Sequence, residues 1–299
     1  MKRILVVHTW GLGDLILATP MMQSLAKSGY SVDLVLFDTA QGIILQENTF
    51  LQNIFFLKKK REMLQFFRKY DIMVTTAGMN PLKVRLLNLL IGAKRLFFAA
   101  QEKNIHRIDL NLKTVEKLLS IESKIPYIYV NENRSLQEKY LQKDKKNIGI
   151  AIGSGSKQKF KRWGKFKELI KNMDGNILLF IGPDEIELEE EYRESNVRIV
   201  KESLKDTISL VASLDLLVGN DNGVMHIAYA TGRNTVTVYG MTNPKESGGY
   251  NINNKNVSLE MECIPCFNPA NDSIGCKTLE CLKNLDEKRV LHICQQFLS

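Results

Sequence analysis

Residues 3–20 read RILVVHTWGLGDLILATP, and this stretch decides the fold that we expect for the chain. A short β-branched apolar run, a turn with two glycines and a second apolar segment follow one another directly. This order is typical of the first strand, turn and helix of a Rossmann-like sheet. The turn contains Gly11, Gly13 and Asp14, so the chemistry of this strand end centres on one aspartate.

Asp14 has two interpretations at this point: a reactive carboxylate, or the N-cap of a helix. A helix that runs on from Asp14 would contain Pro20 in its interior, which costs about 3 kcal/mol or a kink. A helix with Thr19 as cap and Pro20 as first residue avoids that cost. Ile16 stands where a dinucleotide fingerprint has its third glycine, which disfavours a dehydrogenase.

Strand candidates alternate with helical segments along the whole chain of 299 residues, which predicts an α/β fold with parallel sheets. The pattern restarts at residue 147, after a polar and charged stretch. We therefore expect two Rossmann-like domains, residues 1–143 and 144–299, with a cleft between them, and the final helix has the alternative of packing back on the first domain. The predicted strands are RILVV, SVDLVLF, NIFFL, DIMVTTA and KRLFF, then NIGIAI, NILLFIG, VRIV, DLLVG and NTVTVYG.

The charge of the chain is uneven. Residues 1–140 hold 20 Lys and Arg against 12 Asp and Glu, whereas residues 141–299 hold 21 of each. A basic first half predicts an anionic partner such as a glycolipid, a membrane surface or nucleic acid, the alternative being a merely solvated surface. Residues 55–70, FFLKKKREMLQFFRKY, fit an anionic lipid surface or an ordinary strand, turn and helix. The apolar run near the start is too short for a signal peptide, so a cytoplasmic protein is expected.

The turn after DLLVG, in the second half of the chain, contains Asp221, Asn222 and Gly223. A helix that starts there offers free N–H groups and a positive dipole end to a phosphate. His226, one turn further, can donate to the same anion. The alternative is a cap at Asp221 and a surface or core histidine with ordinary partners.

Two further turns of the second half carry charged residues. Lys161 lies in the basic run KQKFKRW, which can neutralise a diphosphate without a metal ion, although lysine-rich loops are often only solvated. Glu185 follows NILLFIG and can accept hydrogen bonds from ribose hydroxyls, or it can begin an acidic helix.

Four of the five cysteines lie close together near the end of the chain. Their spacing is compatible with a structural zinc or iron clip or with a reduced packing cluster. Cys294 shares a helical stripe with apolar residues and is expected in the core. The clustered cysteines are Cys263, Cys266, Cys276 and Cys281.

In this order, these pieces resemble glycosyltransferase family 9, the ADP-heptose:lipopolysaccharide heptosyltransferases. The matching segments are ILVVHTWGLGDLILATPMMQSL, YDIMVTT, GAKRLFF, KRW, GPDE, NDNGVMHIAYATG, VYGMTNP and CIPC with the cysteines that follow. The resemblance implies a GT-B fold and an inverting, metal-independent transfer of heptose from ADP-heptose to the lipopolysaccharide inner core. Asn222, where the family commonly has Ser or Thr, and Gly164, where it has Pro, depart from the pattern.

The resemblance also implies roles for single residues. Asp14 would be the general base beside Gly11 and Gly13, Lys161 a contact to the donor diphosphate, and Glu185 a ribose contact. The turn from Asp221 through Asn222 and Gly223 to His226 would cradle the diphosphate.

The implied partners are a nucleotide sugar and an anionic glycolipid at the inner face of the cytoplasmic membrane, without nucleic acid. No cofactor is expected, unless a metal occupies the cysteine cluster. The alternatives are another acceptor, such as a protein or other glycan, another nucleotide sugar, or a sugar-nucleotide-binding protein without catalysis.

Overall fold

A computed structural model describes residues 1–120, 123–268 and 273–299. The chain divides into two compact units, Met1–Tyr129 and Val130–Ser299. The boundary predicted between residues 143 and 144 is later than this division. The reason is a helix at Arg134–Tyr140, whose N-cap Asn133 is hydrogen-bonded to Ser209 and Asp206 of the second unit.

The first unit is built on a five-stranded parallel sheet in which the strand order is β3-β2-β1-β4-β5. Two α-helices and two 3₁₀ segments connect the strands, and a third helix and a third 3₁₀ segment follow β5 in the described residues. The strands are β1 Arg3–Val7, β2 Ser31–Leu36, β3 Asn53–Phe56, β4 Ile72–Thr75 and β5 Arg95–Phe97; the helices are α1 Leu12–Lys27, α2 Pro81–Ile91 and α3 Arg107–Val115; the 3₁₀ segments are Ala40–Leu45, Lys60–Phe66 and Glu116–Leu118.

The second unit contains a six-stranded parallel sheet and a small antiparallel hairpin, β12–β13 (Phe267–Asn268 and Ser273–Ile274). The other strands are β6 Asn147–Ala151, β7 Asn176–Phe180, β8 Arg198–Val200, β9 Leu216–Asn220, β10 Thr235–Val238 and β11 Asn254–Val257, in the order β11-β10-β9-β6-β7-β8. The helices are α4 Arg134–Tyr140, α5 Phe166–Lys171, α6 Glu187–Glu191, α7 Leu204–Val211, α8 Gly223–Ala230, α9 Pro244–Ser247, α10 Glu280–Lys283 and α11 Glu287–Leu298; 3₁₀ segments occupy Ser156–Lys161 and Pro183–Glu185.

The predicted strands are all confirmed, and so is the α/β class with parallel sheets. The sequence analysis missed β11, whose residues NKNV lack an apolar run. This edge strand pairs with β10 and buries only Asn254 and Val257. The Asn254 amide donates to Thr235 Oγ1 at 2.9 Å, a contact that takes the place of apolar packing.

The helix after β1 differs from the prediction. It runs without interruption from Leu12 to Lys27, with Gly11 as N-cap, so a start at Thr19 is wrong. Pro20 has no N–H for the carbonyl of Ile16, four residues earlier. The Thr19 hydroxyl supplies the missing donor at 2.7 Å, and it accepts from the backbone N–H of Tyr127 at 2.8 Å. One side chain therefore makes an interior proline tolerable.

Each unit has its own core. In the first unit the residues of β1 from Ile4 to Val7 are fully buried, as expected for a strand covered on both faces. In the second unit Trp163, Phe166 and Cys294 are buried, which confirms the core position of that cysteine. Helix α11 packs there against α5, β9 and β10. Within the described residues, none of the helices has the length and apolar character that a membrane span requires.

The strand orders fix where ligands bind. In a parallel sheet the ligand crevice lies beyond the carboxyl ends of the strands, where the strand order reverses. This point falls between β1 and β4 in the first unit and between β6 and β9 in the second. The turns after these strands begin at His8, Thr76, Ile152 and Asp221, and they contain or adjoin most of the predicted site residues.

Thr19→Val should lower the free energy of unfolding by about 1–3 kcal/mol, because it leaves the buried carbonyl of Ile16 without a donor. Thr114→Val is the matched control. Its hydroxyl donates to the carbonyl of Leu110 at 2.8 Å, but the N–H of residue 114 can serve that carbonyl in the helix. Urea unfolding of both variants provides the measurement, and equal losses would contradict this account of Pro20.

Candidate active site

The turn after β1 is held by a buried histidine. His8 Nε2 lies 3.3 Å from the carbonyl oxygen of Gly11, and Nδ1 lies 3.1 Å from Thr76 Oγ1. A carbonyl oxygen only accepts, so Nε2 carries the proton and Nδ1 accepts from the threonine hydroxyl. This ring therefore ties the end of β1 to the end of β4, across the point where the strand order reverses.

The pKa of His8 lies below its usual range. Burial of the ring is the largest cause, and the nearby negative charge of Asp14 opposes it. The neutral ring that results is the form in which one nitrogen accepts from Thr76 while the other donates to Gly11. Protonation would remove the acceptor and disturb the turn that leads into α1.

Asp14 lies in the first turn of α1, but it is not the N-cap, since that position belongs to Gly11. Its side chain is 35% exposed, and Oδ1 lies 3.3 Å from Nε of Arg107. Around Gly11 there is open space, because a Cβ atom placed there would meet nothing within 4 Å. The carboxylate is thus oriented by a cation and reachable from solvent.

The sequence analysis did not anticipate Arg107. It is the first residue of α3, far from Asp14 in the chain, and only the fold brings the two together. Its guanidinium lies against Gly78, where a Cβ would approach Nη1 to 2.9 Å, and φ there is +95°. A side chain at residue 78 would therefore be strained and would push Arg107 away from Asp14.

Two buried polar atoms of this region lack hydrogen-bond partners in the described part of the chain: Trp10 Nε1 and Thr75 Oγ1. Trp10 lies near Gly78, and its carbonyl accepts from the Gln41 amide at 3.0 Å. Thr75 is the last residue of β4. Buried groups of this kind commonly find partners in water or ligand, so the first crevice offers hydrogen-bonding capacity beyond its carboxylate.

In the second unit, Asn222 rather than Asp221 is the N-cap of α8. Its Oδ1 accepts from the N–H groups of Val224 and Met225 at 3.0 and 3.3 Å, and its Nδ2 donates to the carbonyls of Ala151 and Gly153, both at 2.9 Å. The expectation of a fully open helix start is therefore wrong, because this side chain occupies two of the N–H groups. The asparagine joins the end of β9 to the turn after β6.

Glu185 lies against the same turn. Its Oε2 accepts from the Gly182 N–H at 2.9 Å, and a Cβ on Gly153 would come within 2.0 Å of Oε1. Burial raises the pKa of this carboxyl, while hydrogen bonds from the backbone of Gly182 and Ser154 and the charge of Arg162 act in the opposite direction. Glu185 and Asn222 thus converge on Gly153 from the ends of β7 and β9.

Lys161 and Arg162, which are neighbours in the basic run, have different surroundings. Lys161 Nζ lies 4.2 Å from the centroid of the Phe267 ring, a cation–π contact with the hairpin. Arg162 is mostly buried and pairs with Glu187 through Nη1 at 2.8 Å. Its Nε and Nη2 are buried without hydrogen-bond partners in the described structure. The positive charge that opposes the raised pKa of Glu185 is that of Arg162, a role that the sequence analysis gave to no residue.

His226 is buried in α8. Its Nε2 lies 3.9 Å from Oδ1 of Asp221, and its ring meets that of Tyr229 edge-on at 5.3 Å. Asp221 and His226 therefore lie together beside the helix start. Gly223 is the first residue of α8.

The cysteine cluster does not have the geometry of a metal site. Across residues 1–120, 123–268 and 273–299, no three or more His, Cys, Asp or Glu side chains are arranged to hold a metal ion. The four thiols are free and range from exposed at Cys263 to buried at Cys281. Hydrogen bonds with Thr278, and then the bond that Cys276 accepts from the Leu279 N–H at 3.4 Å, lower the pKa of its thiol. The residues do not fit a four-thiolate clip.

Comparison with known proteins now decides the family. The model of glycosyltransferase family 9 (heptosyltransferase) matches residues 94–275, which is more than half of the chain. The chain belongs to glycosyltransferase family 9. A lipooligosaccharide heptosyltransferase 2 of Campylobacter jejuni is 26% identical, with 97% of each chain covered.

Two solved structures support the GT-B-type fold of this family 9 glycosyltransferase. A family 9 glycosyltransferase of Veillonella parvula superposes with a TM-score of 0.82 at 20% identity, covering 99% of this chain and 97% of the other. The ADP-heptose lipopolysaccharide heptosyltransferase II of Escherichia coli gives a TM-score of 0.74 at 19% identity, with 100% and 98% covered.

The pKa shift of His8 predicts a pH dependence of stability. Below pH 6.5, the ordinary pKa of histidine, the unfolded chain takes up a proton that the folded chain does not, so stability decreases as the pH is lowered, until the lowered pKa of the folded state is reached. His8→Gln should flatten this part of the stability curve. His292 is exposed, so His292→Gln serves as the control. Thermal unfolding between pH 5 and 8 gives the comparison, and parallel curves for wild type and His8→Gln would refute the assignment.

Proposed function

We propose that this family 9 glycosyltransferase is an inverting heptosyltransferase that moves heptose from ADP-heptose to the inner core of lipopolysaccharide or lipooligosaccharide. The names of the Campylobacter and Escherichia proteins support this substrate class. The observation that carries the proposal is the Asp14 carboxylate, which is 35% exposed, is oriented by Arg107 and follows the open turn at Gly11.

Asp14 is the general base of the proposed reaction. It takes the proton from an acceptor hydroxyl while that oxygen attacks the anomeric carbon of the donor. The bond from the anomeric carbon to the diphosphate breaks with its electron pair on ADP, which leaves from the opposite face, so the configuration inverts. Arg107 is a positioning residue, because it acts through the carboxylate. His8 and the turn at Gly11 and Gly13 hold the start of the helix that contains the base.

The second unit holds the donor in this proposal. The turn at Gly153 lies where Asn222 and Glu185 converge, and Glu185 has lone pairs left for a ribose hydroxyl. The N–H of Gly223 and the Asp221–His226 pair lie at the start of α8, whose dipole favours an anion. Lys161 and Arg162 contribute positive charge for the departing ADP, so the proposed reaction needs no metal ion.

The proposed acceptor is anionic and tethered to a lipid, which agrees with the basic first half of the chain. An enzyme that acts on such an acceptor works at the surface of the cytoplasmic membrane. Residues 1–143 and 144–299 stay our proposed acceptor and donor regions, with the short segment from Val130 on packing with the donor side.

Asp14→Asn should lower kcat by about 10²–10⁴-fold, because the amide cannot take up the acceptor proton. The dissociation constant for ADP should stay close to that of wild type, since the donor residues lie in the other unit. Asp38→Asn is the matched control, because this exposed carboxylate follows β2 at the same edge of the sheet. Transfer from ADP-heptose and ADP calorimetry give the two readouts. A kcat near that of wild type in Asp14→Asn would reject the base.

Asn222→Ala should weaken ADP binding about tenfold or more, because it frees the turn after β6 and uncaps α8 together. Asn80→Ala is the control. Asn80 caps α2 of the first unit by accepting from two N–H groups, as Asn222 does for α8, but it holds no donor loop. Calorimetric titration with ADP, repeated in EDTA, is the measurement. Equal ADP affinities in the two variants would contradict the proposed donor site.

A further inference from the structure

Helix α2 of the first unit is apolar on two opposite faces. Val84, Leu87 and Ile91 point into the core and are buried. Leu90 is partly buried against the same core, but three other leucines are open to solvent: Leu82 is 69% exposed, Leu86 62% and Leu89 72%. A surface helix normally has a polar face opposite its buried face.

The exposed leucines form one stripe. At about 100° per residue, positions 82, 86 and 89 fall within about 60° of one another, and the buried stripe lies on the other side of the helix. Along the axis the stripe is about 10 Å long. Scattered exposed leucines need no explanation, but a continuous stripe marks an interaction surface.

The stripe has a neighbour of similar character. Helix α2 packs against the 3₁₀ segment Lys60–Phe66, where Leu64 is 54% exposed. Phe67 follows that segment, is 48% exposed, and lies against the end of α2, since a Cβ on Gly92 would come within 3.0 Å of its ring. We call the five side chains together the α2 surface; they are Leu64, Phe67, Leu82, Leu86 and Leu89.

Positive charge predominates in the part of the sequence that forms this surface. Residues 51–100 contain ten Lys and Arg side chains against two Asp and Glu, and α2 itself has Lys83 and Arg85 but no acidic residue. In a two-fold dimer built on this surface, the same cations would face each other. An anionic lipid bilayer instead offers negative headgroups to the cations and an apolar layer to the leucines.

The connection that leads into α2 also reaches the proposed general base. It runs from Thr76 to Asn80 after β4, and its Gly78 lies against Arg107, which pairs with Asp14. The start of the leucine stripe is therefore a few residues from the acceptor side of the site.

We propose that the α2 surface docks the enzyme on an anionic phospholipid bilayer and so presents lipid-anchored acceptors to Asp14. This inference rests on the proposed function for its purpose, but the docking itself can be measured without any transfer. Leucines that enter the interface and basic residues at the headgroups would act together, as one signal alone gives only marginal, reversible attachment.

The test is co-sedimentation of the full chain with vesicles of phosphatidylcholine, with and without phosphatidylglycerol. Wild type should bind the anionic vesicles, and added salt should weaken the binding. L86Q/L89Q should weaken it about tenfold, from the loss of partly buried apolar area. K83Q/R85Q should weaken it about fivefold for each charge at low salt.

Matched controls separate docking from general surface effects. I125Q/I252Q changes two comparably exposed isoleucines, 76% and 84% exposed, that are not among the residues of the α2 surface. K205Q/K255Q removes two exposed lysines of the second unit. Both controls should bind as wild type does, and the unfolding midpoints of all variants should agree, because every changed side chain lies in solvent.

Three outcomes would overturn the inference: no binding of wild type to anionic vesicles, equal binding of L86Q/L89Q and I125Q/I252Q, or a wild-type dimer without vesicle binding that L86Q/L89Q converts to a monomer. Transfer to a delipidated acceptor in solution tests the proposed function separately. We expect that transfer to be unchanged in L86Q/L89Q. Vesicle binding without any transfer would refute the function and leave the docking in place.

Discussion

The parallel pairing of strands in the two large sheets is the constraint on which both candidate crevices depend. It places every strand end that is followed by a crossover helix at the same edge of its sheet, so polar turns distant in sequence meet. These turns need hydrogen bonds from side chains, because their backbone N–H and C=O groups no longer pair with a neighbouring strand. His8 supplies one between β1 and β4, and Asn222 supplies another between β6 and β9. The polar side chains of each crevice are arranged around this one hydrogen-bonding residue.

The strands could be predicted well from the sequence, because short apolar runs bounded by turn residues are local signals. The start of α1 was predicted wrongly. The rule against interior proline is sound, but its cost depends on whether another donor can reach the orphaned carbonyl. Thr19 can, and its hydroxyl accepts from Tyr127 as well, a contact that no local pattern predicts. Edge strand β11 was missed for the related reason that its buried asparagine replaces apolar packing.

The candidate site residues likewise differ in whether the sequence alone can predict them. Asp14, Glu185 and Asn222 could be found from their positions after strands, but their partners could not. Arg107 is more than ninety residues from Asp14 in sequence, and Glu185 meets Gly153 only through the fold. In the proposed donor crevice, the side chains of the motif after β9 also hold the loops together. Weaker ADP binding after a substitution there therefore has two possible causes, a change in loop geometry and the loss of a direct contact. For this reason the control has to be a substitution at another N-cap asparagine.

Helix α2 shows where periodicity analysis is least informative. With leucines on opposite faces, its apolar residues spread around the axis, and the pattern resembles that of a helix buried on all sides. Its exposed leucines contribute little to folding, because they stay in water in the folded chain, and alone they would favour aggregation. The net positive charge of residues 51–100 opposes such self-association by repulsion. The same charge attracts an anionic surface, so the feature that keeps α2 in solution also selects what it can bind.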